Sequence, residues 1–151
     1  MKVFLDTNLL LDIIEEREPF LMPALNIFDL GMRGKIEMYA SPLTLANCMY
    51  VARKHVGYEK AIEGLKFIKK YVTIAAMDDE QCLRALNSNM PDFEDMLQYE
   101  AARAALCGVI VTRDANRHFP LGSIPVLAPE QFLNTYAKPI TTAPIHSYYP
   151  K

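Results

Sequence analysis

Short apolar runs alternate with amphipathic stretches along nearly the whole chain, and few folds can bury such a pattern. Apolar runs at 2–5, 36–40, 72–76, 109–112 and 125–127 have strand length. Between them, helical spacing predicts helices over 8–16, 20–33, 42–54, 58–70, 79–87, 93–107 and 129–136. The second of these repeats Leu21, Ala24, Leu25, Phe28 and Met32 on one stripe, and Gly34 stands where a left-handed C-terminal residue is expected. Ser41-Pro42 offers an N-cap followed by proline at the first helical position. Gly57 and Gly108 are the expected stops of the third and sixth helices. Strands separated by helices call for a parallel sheet covered on both faces, so the expected fold is a three-layer α/β/α domain. Ligands of such sheets sit beyond the carboxyl ends of the strands, which directs attention to the residue that follows each one.

The 151 residues suit one compact domain, expected over 1–136, with a loosely packed tail rich in Pro, Thr and Tyr over 137–151. Lys and Arg number 16 against 18 Asp and Glu, so no broad positive field draws in nucleic acid, and any such contact needs a local basic patch. Cys48, Cys82 and Cys107 are odd in number and widely spaced, which reads as buried thiols in a reducing compartment. The chain begins directly with Val3-Phe4-Leu5-Asp6, too short a lead for a signal peptide, and no apolar run approaches the ~20 residues of a membrane span. A cytoplasmic, soluble protein without membrane contact is expected.

Carboxylates fall at the predicted strand ends. The first strand runs into Asp6-Thr7-Asn8 and the fourth into Thr112-Arg113-Asp114. Asp92, Glu94 and Asp95 open the helix leading into the fourth strand, so they belong at the same sheet edge as Asp6 and Asp114. Each acid alone has an ordinary use: Asp6 as a helix cap, Asp92 and Asp95 in a capping box, Asp114 as a turn residue. Their convergence points to chemistry. Carboxylates crowded together repel one another, and a bound cation removes that penalty. Mg²⁺ and Mn²⁺ prefer oxygen ligands and retain waters, so a few carboxylates suffice, and such an ion suits phosphodiester hydrolysis. No glycine-rich phosphate loop, Gly-x-Ser-x-Gly or His-Glu-x-x-His is present.

Over residues 2–136 the chain resembles the PIN domain family, which includes small metal-dependent ribonucleases and the VapC-type toxins of toxin–antitoxin pairs. Val3-Phe4-Leu5-Asp6-Thr7-Asn8, Asp92-Phe93-Glu94-Asp95 with Leu97-Gln98-Tyr99, and Val111-Thr112-Arg113-Asp114 carry the resemblance, with support from 124–127 and 129–133. It implies a Mg²⁺- or Mn²⁺-dependent endoribonuclease in which Asp6, Asp95 and Asp114 ligate metal, Asp92 is a nearby alternate, and Asn8 and Thr112 are supporting polar residues. It also implies RNA as substrate, and an antitoxin and a second copy of the chain as partners.

The sequence departs from the family pattern at two places. Asn47 stands where relatives commonly carry a second acid, and Asn116-Arg117-His118 occupies a stretch where another acid often follows. The loss of negative charge keeps open a different reading, a catalytically attenuated or inactive module that binds RNA or protein. Arg113 and Arg117 flank the acidic edge, either to position RNA phosphates or to pair with the acids. His118 reads as a solvated loop residue, and Tyr148 and Tyr149 as part of the loose tail.

Overall fold

The computed structural model describes residues 1–115, 119–120 and 122–137. Arg117, His118, Tyr148, Tyr149 and all of the expected tail except Ala137 lie outside the described residues. The elements follow in the order β1 (Lys2–Leu5), α1 (Thr7–Ile14), α2 (Leu21–Met32), β2 (Glu37–Ala40), α3 (Pro42–His55), α4 (Tyr58–Tyr71), β3 (Val72–Ile74), α5 (Asp79–Leu86), α6 (Phe93–Ala104), β4 (Val109–Val111), β5 (Val126–Leu127) and α7 (Pro129–Tyr136).

The five strands form one parallel sheet in the order β3-β2-β1-β4-β5. From β1 the chain winds outward to β2 and β3, then crosses back to β4 on the other side of β1. Parallel crossovers are right-handed, so reversing the winding direction moves the intervening helices to the opposite face. The two cores agree. Val3, Leu5, Met38, Val109 and Val111 pack with α1–α4 and Phe132 of α7, whereas Phe4 and Ile110 pack with Ala85 of α5 and with Met96, Leu97 and Ala101 of α6. This is the three-layer α/β fold expected from the alternation.

Several boundaries shift by a residue or two, and two glycines do different work from that expected. Gly34 does end α2 in the left-handed region, with φ +69°, and Lys35 N–H bonds Leu30 O at 2.9 Å. Gly57 (φ +85°) instead precedes α4, and Val56 caps α3. Helix α6 stops at Ala104 rather than 107 because Leu106, not a glycine, takes the left-handed conformation (φ +59°). Leu106 N–H then reaches Arg103 O at 3.0 Å and Cys107 N–H reaches Ala102 O at 2.9 Å, the paired bonds of a Schellman turn.

Candidate active site

The reversal of winding falls between β1 and β4, which are neighbours with Leu5 opposite Val111. A crevice outside the carboxyl ends at such a point is where open α/β sheets bind ligands. Successive strand residues alternate faces, so Asp6 continues the face of Phe4, and Thr112 that of Ile110. Both therefore turn toward the side covered by α6, whose first turn carries Glu94 and Asp95.

Asp6 occupies the N-cap position of α1 but makes no side-chain capping bond. Its Oδ2 instead accepts the hydroxyl of buried Thr112 at 2.8 Å. Thr112 Oγ1 in turn accepts from Asn8 Nδ2 and from the Asp114 backbone N–H, both at 3.1 Å. Asn8 Nδ2 also reaches Asp114 Oδ2 at 3.3 Å, while its Oδ1 accepts the Arg113 N–H at 3.1 Å. With a carboxylate on one side and an N–H donor on the other, the amide has one orientation available. Thr112 and Asn8 thus tie the end of β1 to the turn after β4 and hold Asp6 and Asp114 beside each other. Burial pushes the Asp6 carboxyl above its usual range; the Thr112 hydroxyl pulls it down, and the charge of Asp114 pushes it up.

The start of α6 contributes a second group. Asp92 is its N-cap, its Oδ1 accepting the Asp95 N–H at 3.0 Å, so the capping use expected for Asp92 is present. Asp95 is half-buried in the first turn. Glu94, absent from the sequence-derived ligand set, accepts Asn47 Nδ2 at 2.5 Å across from α3. Its carboxyl is pushed up by burial and by the charges of Asp6 and Asp92, against the lowering pull of Asn47. The signal for Glu94 in the sequence was its place between two acids in a helix's first turn, but nothing there paired it with Asn47. Buried Gln98, one turn further along α6, accepts the hydroxyls of Ser41 at 2.5 Å and Thr44 at 3.1 Å. Cys48, next to Asn47, directs its thiol to Thr7 O at 3.7 Å. These contacts brace α3 against both α6 and the β1 edge.

Arg113 turns away from these acids. Its Nε lies 3.0 Å from Oδ2 of buried Asp12, and its guanidinium sits 4.1 Å from the centre of the Phe20 ring. Burial raises the Asp12 carboxyl to about 6, against the pull of Arg113 and Arg17.

The donors at this edge are carboxylate, amide and hydroxyl oxygens, a set that suits a hard divalent cation and not a soft one. Among the described residues, no three His, Cys, Asp or Glu side chains already stand close enough to enclose an ion. No helix among them is long and apolar enough to cross a membrane.

A family model described as PIN domain matches residues 2–116. The chain is similar to Ribonuclease VapC1 of Aquifex aeolicus, with 26% identity over 87% of this chain and 92% of that protein. Its fold matches the crystal structure of VapBC2 from Rickettsia felis bound to a promoter DNA fragment, at TM-score 0.61 and 16% identity, over 85% of this chain and 98% of that one. It also matches VapC20 of Mycobacterium tuberculosis, described as a sarcin–ricin loop cleaving toxin, at TM-score 0.59 and 11% identity, over 72% and 86% of the two chains.

Proposed function

This chain belongs to the PIN domain family, and from that premise we propose that it is a divalent-metal-dependent endoribonuclease, the toxin of a toxin–antitoxin pair. The observation that carries the reading is the bracket in which Thr112 and Asn8 hold Asp6 beside Asp114 at the winding reversal. A fold gains no stability from two neighbouring carboxylates with one of them desolvated, and a bound cation would turn that cost into affinity. The relatives support the substrate class: one is named a ribonuclease and another a toxin that cleaves the sarcin–ricin loop.

Asp6, Asp114 and Asp95 are the candidate ligands, with Asp92 as alternate, though its capping bond already occupies one oxygen. Bound Mg²⁺ or Mn²⁺ would supply an acidified water and neutralise charge on the scissile phosphate. The chain's own contribution is preorganisation. Thr112 favours the ionised form of Asp6 by donating to it, and Asn8 fixes Asp114 while anchoring the turn at Arg113 N–H. For Arg113 to meet an RNA phosphate, its pair with Asp12 must open; Arg117 is the other candidate for that contact. An antitoxin partner is supported by the VapBC2 assembly, and a homodimer by the family alone.

Cleavage of mixed RNA by wild type and Asp6→Ala in Mn²⁺ tests the reading; equal cleavage by the two proteins refutes it. A second reading, an attenuated module that binds RNA or protein without cutting, is favoured by Asn47, which brings no charge to the edge. Wild type that binds neither Mn²⁺ nor cuts RNA, with no gain on Asn47→Glu, selects that alternative.

A further inference from the structure

Glu94 is exposed in the first turn of α6, where its charge also favours the helix dipole. At this edge its Oε1 accepts a hydrogen bond from Asn47 Nδ2 of α3 at 2.5 Å. Only the amide nitrogen of Asn47 can donate to a carboxylate, so the orientation of that amide is settled by its partner. The surrounding helices are braced to keep this meeting in register. Ser41 and Thr44, on the turn before Asn47, bond Gln98 on the turn after Glu94, and Cys48 is tied to Thr7 beside Asp6.

We propose that Glu94 is a cation-binding carboxylate of this site and that Asn47 is its positioning residue, not itself a ligand. The proposal rests on the metal-centre reading given above and changes the part played by Asn47. The charge missing from α3 is delivered to the same place from α6, and the amide that stands in for an acid orients that delivery. A carboxylate fixed by a dedicated amide donor is preorganised for a cation.

The test is a calorimetric Mn²⁺ titration of the full chain without RNA, paired with unfolding midpoints in chelator. Glu94→Gln is expected to weaken Mn²⁺ binding at least about tenfold, and Asn47→Ala by a smaller factor, because the carboxylate remains but is no longer steered. The relocated pair Asn47→Glu with Glu94→Gln restores the charge from the other helix and should recover most of the affinity. If Glu94→Gln binds Mn²⁺ as tightly as wild type while Asp6→Asn loses it, the proposal falls and the metal-centre reading stands. If wild type itself binds no Mn²⁺, both fall. A Glu94→Gln protein that also melts well below wild type in chelator, with no recovery in the relocated pair, assigns Glu94 a structural role and overturns the proposal.

Discussion

Replacing Thr112 with valine removes one hydroxyl at nearly constant volume and should reveal how the acidic edge is held. Thr112 is fully buried and its oxygen serves three partners: Asp6 Oδ2, Asn8 Nδ2 and the Asp114 N–H. The bond to the Asp6 carboxylate is charge-assisted and its loss costs about 1.5–3 kcal/mol. The other two groups lie toward the exposed edge, where water replaces the lost acceptor, and add about 1 kcal/mol together. A deficit of roughly 2–4 kcal/mol is therefore expected in chelator at pH values where Asp6 is ionised.

The pH dependence separates this from a packing defect. Asp6 already has a raised folded pKa, and losing a donor to its charged form raises it further. The folded variant then holds its proton to higher pH than wild type does, so its stability keeps falling over a wider range as pH rises. The deficit is largest above the variant's folded pKa and shrinks as pH falls and Asp6 becomes protonated in both proteins. Urea unfolding of wild type and Thr112→Val over a pH series from acid to alkaline reads both quantities. A deficit below about 1 kcal/mol, or one that does not change with pH, would refute the bracket as the device that holds Asp6. Thr112→Ser keeps the hydroxyl and should keep the pH profile.

Other perturbations test separate parts of the fold. Burial raises Asp12 from 3.8 to about 6, so its contribution to stability falls as pH rises between those values, by roughly 3 kcal/mol at most; Asp12→Asn should flatten that part of the profile, and an unchanged slope in urea titrations counts against it. Leu106 is 79% exposed at φ +59°, so Leu106→Gly should stabilise by about 0.5–1 kcal/mol in thermal unfolding despite glycine's chain entropy. No gain there would mean that the Leu106 side chain makes contacts that offset its strained backbone.

Much of the architecture was legible in the chain. The strand–helix alternation gave the parallel sheet, and Ser41-Pro42 and Gly34 marked real helix ends because capping and left-handed turns are local chemistry. The end of α6 was misplaced because a left-handed leucine carries no sequence signal of its own. At the site, Asp6, Asp92, Asp95 and Asp114 could be placed at one edge from chain order alone. Asn8 and Thr112 were recognised only as supporting residues of a resemblance; their bonds appear only when β1 lies against β4.

The sequence by itself therefore determined which segments bring acids to the carboxyl edge of the sheet, since period and connection order are local properties. Tertiary structure decided how those acids are used. It gave Arg113 to Asp12 and brought Glu94 to Asn47. Each of those outcomes depends on how helices pack across the sheet, and residues 47 and 94 become neighbours only once α3 and α6 share that edge.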